Sequence, residues 1–497
     1  MDFLKNNTIW IICLFSFFSS LFYNQTNLHQ LPEELKRDHI TVITNDDASY
    51  LRPPENYIQT GIWQENSIGK QSHFVRSPGY GFFYMLFLKL VDSPQALNFL
   101  KITQLLLFAC SVYWLFGIAL SIIGNKKISL LIAAVYGITP FAIGFLSYTL
   151  TEGITPALVL LYIFLLVKAK QKTIPKKKII FYFLAALTFS YLFILRPPLG
   201  VMGILIPVYL LKDYWKESFS KLIIKLALLG SISFSLMAIW QYRNYKITDK
   251  YVGFHAIYYA DNNSIYRPTF REYWNFVGGW AQEGHVTHSY MVPMWQAAIK
   301  GDTSKVYIEK ALATFPKKVV NHFGEDRLTR VFRKYQEATL FQKYYYKQEL
   351  PMPIETSQIE MEVIEEFQEL TKEYKNEFWL QYHLISPLKV FKTMAFHSNL
   401  SMFIFQHTYR GSWLMECTRF VFYGLHSFCF LALIIGLFFH KGNWQQHVIT
   451  LTVFSYVFYL CYFQRGIEER YTLPILPLLM IGLGDLILKL KERLSRR

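Results

Sequence analysis

Residues 97–123 read LNFLKITQLLLFACSVYWLFGIALSII, and Gly124-Asn125-Lys126-Lys127 then stop the apolar run abruptly. The stretch carries one charge, Lys101, near its first end. It is longer than the roughly 20 residues a helix needs to cross a bilayer. On either side of it, nine more apolar runs repeat the pattern: 9–23, 128–148, 153–167, 179–195, 199–211, 222–240, 418–439, 448–463 and 471–488. Each reads as a helix, because an open sheet edge has no partner for its backbone groups in lipid. The composition agrees. The 497 residues are 52% hydrophobic and 17% charged, against about 25% charged in soluble domains. The expectation is an all-α polytopic membrane protein with about ten transmembrane helices.

The net charge is nevertheless +16, and its location sets the orientation. If the N-terminus is cytoplasmic, the short loops and tail on that side carry Lys126, Lys127, the run Lys168 to Lys178, Lys212 to Lys225, Lys441, and Lys489 to Arg497. These are 18 basic residues against Asp213, Glu217, Asp485 and Glu492, a net of +14. The two long loops on the other side, 24–79 and 241–417, balance to zero. That asymmetry is the positive-inside pattern, and it places both termini in the cytoplasm. A basic surface for nucleic acid is excluded, since the excess is scattered over separate loops. The first run is read as a retained span, because a small-x-small cleavage site is missing before Asn24. The five cysteines lie in or beside spans, so the outside loops have neither a disulfide framework nor a Cys-based metal site. Three parts are expected: an N-terminal membrane module over 1–240 with its first outside loop (24–79), a large helical outside domain over 241–417, and a C-terminal membrane module over 418–497.

The residues with chemical potential all fall on the outside face. They are Asn45-Asp46-Asp47-Ala48-Ser49-Tyr50, Arg76-Ser77-Pro78-Gly79-Tyr80, Thr151-Glu152-Gly153, Arg196-Pro197-Pro198, Trp240-Gln241-Tyr242-Arg243-Asn244, and Arg465 followed by Glu468-Glu469-Arg470-Tyr471. After Pro78-Gly79 an aromatic-rich helix is expected along the membrane surface. Taken singly, an arginine at a span end snorkels to head groups, and a tyrosine joins the interfacial belt. Glu152 is harder to place that way, since an acid at a span's mouth is costly without a cavity or a partner.

The order of these motifs resembles the GT-C class of integral membrane glycosyltransferases. It is most similar to the group holding protein mannosyltransferases and bacterial lipid A aminoarabinose transferases. The similarity covers most spans and the first loop, and is weakest over 245–417. It implies a GT-C fold and transfer of a sugar from a polyprenyl-phosphate carrier to an acceptor hydroxyl of a lipid, glycan or protein at the extracytoplasmic face. It further implies that Asp46 is the base, with Asp47 in the place of a second acid and Tyr50 as the following aromatic. Arg76, Arg196, Arg243 and Arg470 fall at the depth of a lipid phosphate, whose oxygens suit the planar guanidinium fork. Tyr80, Glu152, Glu469 and Tyr471 are expected to support them. A single displacement with inversion needs no covalent intermediate and no cofactor. Glu283-Gly284-His285-Val286-Thr287-His288 lacks a third spaced ligand, so no metal is expected.

Within the outside domain, Ile359, Val363, Phe367, Leu370, Tyr374 and Phe378 recur at steps of three and four, which predicts an amphipathic helix with its glutamates solvated. A further helix is expected within 388–405. The runner-up function is a transporter or flippase of a lipid-linked sugar, but the charges near Lys101 and Glu152 lie at span ends instead of deep within paired broken helices. A ligase of preassembled lipid-linked glycan shares the outside-facing site and is not separated by sequence. High Lys, Ile, Phe and Asn usage points to a bacterial inner membrane.

Overall fold

The computed structural model describes residues 2–44, 46–65, 76–216, 218–249, 251, 253, 267–280, 285–348, 350, 353, 355–396, 413–438, 443–465 and 469–495. The protein is a multi-pass helical membrane protein. Among the described residues, six helices are long and apolar enough to cross a bilayer: 7–30, 93–123, 175–195, 219–247, 416–438 and 444–464. A bent pair, Lys126–Ile138 with Pro140–Ser147, makes a seventh if counted as one span.

The ten apolar runs and these spans differ at several places, most with a backbone cause. The run at 128–148 is bent by 47° at Pro140, whose missing N–H cannot continue the helix ladder. The run at 199–211 begins as a 3-10 segment, Pro197–Ile204, before turning α-helical over Leu205–Tyr214. The run at 153–167 folds as a 17-residue helix, Thr155–Gln171. The last run begins in a 3-10 turn, Glu469–Thr472, and becomes a regular helix only over Leu476–Leu494.

The first quarter of the chain is organised by four helices: α1 (Asp2–Gln30), α2 (Ala48–Thr60), α3 (Gly79–Leu88) and α4 (Ser93–Ile123). One apolar core joins α1, α4, the helices through 210 and the three C-terminal helices. The bend at Pro140 is tied to α1 by Asn24, whose Nδ2 donates to the carbonyl of Ile143 at 3.0 Å. Between α1 and α2 runs a short antiparallel hairpin, Lys36–Arg37 on Thr41–Val42, with Asp38 and His39 in the left-handed region at its turn. Val42 also pairs in parallel with Tyr148. The first loop is thereby laced to the segment that leads into Glu152.

Gly79 opens α3 at a position where a side chain has no room. A Cβ there would lie 2.5 Å from Cα of Leu195, so the start of α3 and the end of the helix Pro175–Leu195 touch backbone to backbone. Tyr191 completes the junction by donating to the Gly79 carbonyl at 2.7 Å. The contact brings Arg76 and Arg196 to one place. Gly79→Ala is expected to lower stability by about 1–3 kcal/mol through overpacking. Gly424→Ala, whose Cβ would meet nothing within 4 Å, is expected to leave it unchanged or slightly raised. Thermal unfolding of both variants in detergent checks this; equal midpoints would count against the contact.

A second core, separate from the first, gathers Phe270 to Tyr374. Its helix Gln358–Glu377 buries Val363, Phe367, Leu370 and Tyr374, as the spacing predicts. Glu360 departs from the solvated reading of its acids. It is fully buried and bridged by Arg267, Nε to Oε1 at 2.6 Å and Nη2 to Oε2 at 2.8 Å. The helix expected within 388–405 is seen over Ser386–Phe396, and its remainder lies outside the described residues.

Candidate functional site

Five segments converge on a cavity of about 240 Å³. Asp46 and Tyr50 come from the start of α2, and Arg76 with Ser77 from the approach to α3. Leu150 to Glu152 come from the irregular stretch after the Pro140 bend. Leu195 to Pro197 follow the helix Pro175–Leu195, and Gln464, Arg470 and Tyr471 lie between the last two helices.

The Asp46 carboxylate is shared by two arginines. Arg76 Nη2 reaches its Oδ1 at 2.6 Å, and Arg470 Nη2 reaches its Oδ2 at 3.4 Å. Behind them Arg196 Nη1 meets Glu152 Oε1 at 2.9 Å, while the Thr151 hydroxyl donates to Glu152 Oε2 at 3.1 Å. The Tyr471 ring faces both Arg196 and Arg470, with its centroid 5.3 Å and 5.6 Å from the guanidinium carbons. Burial works against ionisation of Glu152, but Arg196 and Arg470 outweigh it and hold the carboxyl below the usual glutamate range. Burial likewise opposes the charge on Arg196, and Glu152 more than restores it. Burial also pushes the Tyr50 hydroxyl up, keeping it protonated. Among the described residues the lining holds three arginines and two carboxylates.

The adjacent aspartates part company. Asp46 faces the cavity, whereas Asp47 is 1% exposed and turned inward, with Arg37 Nη2 on its Oδ2 at 2.8 Å and the Thr149 hydroxyl at 3.5 Å. Tyr80 is buried beneath Tyr50, ring centroids 5.5 Å apart, and donates to Gln104 at 2.8 Å. Arg243 is not among the lining residues. Its Nη2 donates to the carbonyl of Trp63 at 2.9 Å and its guanidinium lies over the Trp240 ring at 4.7 Å. The side chain of Glu469 and the segment from Glu283 to His288 lie outside the described residues or side chains.

Comparison with known proteins adds little. No protein-family model matches the chain, and no curated protein matches it. Among solved structures it is similar to ArnT from Cupriavidus metallidurans in the apo state, at 10% sequence identity and a TM-score of 0.36, over 96% of this chain and 76% of that one.

Three supporting residues belong to none of the motifs. Arg37 neutralises Asp47, and Gln464 lines the cavity. Gln104 takes the Tyr80 hydroxyl and donates to the carbonyl of Leu146 at 2.9 Å. Only Gln104 left a signal, as a polar residue within the apolar run that begins at Leu97.

The cavity presents one carboxylate, accessible to solvent, ringed by cations, with a buried ion pair as its floor. It can bind an oxyanion next to a group able to accept a proton.

Proposed function

We propose that the protein is a GT-C-type glycosyltransferase. It moves a sugar from a polyprenyl-phosphate-linked donor to an acceptor hydroxyl at the extracytoplasmic face of a bacterial inner membrane, with both termini in the cytoplasm. The observation that carries the reading is the pair of arginines, Arg76 and Arg470, on the Asp46 carboxylate at the cavity. A polyprenyl phosphosugar is a phosphodiester with one negative charge, which guanidinium groups placed this way can bind. The motif order from Asp46 to Tyr471 supports the same reading.

The donor phosphate takes Arg76 and Arg470, and Arg196 strengthens the field from behind. Occupying those two arginines releases Asp46 from its ion pairs and opens its carboxylate to the acceptor hydroxyl. Asp46 accepts the hydroxyl proton as the new C1–O bond forms and the C1–O bond to phosphate breaks. The electron pair leaves on the polyprenyl phosphate, where the arginines stabilise it, and the sugar carbon is inverted. Asp47, held by Arg37, fixes the turn that aims Asp46. Arg243, tied to the Trp63 carbonyl, is assigned to the shape of the first loop instead of to the phosphate.

Deleting the protein tests the function. Mass spectrometry of the cell's glycoconjugates is expected to show one of them lacking a single sugar, with the lipid-linked donor accumulating at the outer face. Donor trapped on the cytoplasmic side would favour a flippase. A second test separates the arginines. Arg470→Gln is expected to weaken binding of polyprenyl phosphate by about tenfold or more, the loss of a charge-assisted hydrogen bond worth about 1.5–3 kcal/mol. Arg243→Gln is expected to leave that binding within about threefold, because it contacts the loop. Titration of tryptophan fluorescence with polyprenyl phosphate in detergent measures both. Equal losses would return Arg243 to the phosphate site.

A further inference from the structure

A second, larger cavity of about 320 Å³ lies far along the chain from most of these motifs, between the helices Trp413–Phe438, Trp444–Tyr459 and Leu476–Leu494. Its walls are apolar: Leu433, Ile449, Val453, Leu478, Leu479 and Leu486. Gly482 leaves the slot open, since a Cβ there would meet no atom within 4 Å.

One end of the slot is polar. Asp485 is 8% exposed; Gln446 Nε2 donates to it at 2.6 Å and Lys489 Nζ reaches it at 2.6 Å. Gly482, Asp485, Lys489 and Arg493 occur at steps of three and four, so they share one helix face. Among the described lining residues, the cations Lys489 and Arg493 face one carboxylate, Asp485.

This is the end of the bundle where the basic loops gather. Lys170 sits over the Trp444 ring at 5.8 Å, and Lys170 and Lys178 flank the buried Asp213 at 2.5 Å and 3.1 Å. On the positive-inside pattern it faces the leaflet rich in anionic lipid, and a basic pocket between spans on that side suits an anionic head group.

We propose that this cavity binds an anionic phospholipid. One acyl chain lies in the slot beside Gly482, and the phosphate rests on Lys489 and Arg493. The site needs neither the sugar donor nor Asp46, so it stands or falls apart from the proposed transfer.

The test uses the full-length protein in detergent, titrated with phosphatidylglycerol or phosphatidylcholine and read by native mass spectrometry and thermal unfolding. Phosphatidylglycerol is expected to bind more tightly and to raise the Tm further. Arg493→Gln, an exposed change in the last turn, is expected to weaken phosphatidylglycerol binding about tenfold and leave phosphatidylcholine unaffected. Gly482→Phe fills the slot and is expected to weaken both lipids. The proposal is overturned if the two lipids bind alike, or if either variant binds phosphatidylglycerol as the parent protein does.

Discussion

Asp46→Asn is expected to lower sugar transfer by about 10²–10⁴-fold, the usual contribution of a positioned general base. Asparagine keeps the shape of the side chain and can still accept from one of the two arginines through its amide oxygen, but it cannot take a hydroxyl proton. Folding should be nearly indifferent to the change. The Asp46 side chain is 28% exposed, and partly solvated ion pairs of this kind are worth about 1 kcal/mol or less. The readout is therefore a pair of measurements: restoration of the missing sugar in a deletion strain, and the amount and Tm of the variant in the membrane fraction. Loss of the sugar at an unchanged protein level is the expected result. An active asparagine variant would remove Asp46 from the base position.

Glu152→Gln should behave in the opposite way and act first on stability. It leaves Arg196 buried without a counter-charge, a loss of about 3–5 kcal/mol for a broken buried pair. The pH dependence follows from the direction of the shift. The Glu152 carboxyl is held below its usual range in the folded protein. Its contribution is therefore complete above the unfolded value, about 4.3 for glutamate, and is lost as pH falls through the lower native value. The parent and the variant should differ widely in thermal midpoint near neutrality, and the gap should narrow in acid. A variant as stable as the parent at neutral pH would show that the pair adds nothing.

Much of the fold was legible because lipid imposes a length requirement that apolar residues either meet or fail. The exceptions arise where hydrophobicity and backbone geometry diverge. Residues 128–148 are largely apolar, yet Pro140 bends the helix, and after Pro197-Pro198 the run at 199–211 begins as a 3-10 segment. The motifs pointed to Asp46, Glu152, Arg196 and Arg470, which do line one cavity. The motif order named Asp46 as base and Asp47 as a second acid, but that the two point to different sides is visible only in the fold. Nor could the motifs show Arg37 or Gln464, whose significance depends on what lies across the interior. Glu360 repeats the point in the large domain. In sequence it is one of eight glutamates between 355 and 377, and its ion-pair partner Arg267 lies 93 residues away.

The Asp46 carboxylate takes one arginine from 30 residues downstream and another from 424 residues downstream. The ribosome therefore delivers the two halves of its cradle at very different times. Until residues 464–471 have been made, the lining lacks Gln464, Arg470 and Tyr471. A chain cut before residue 464 would thus carry an incomplete lining.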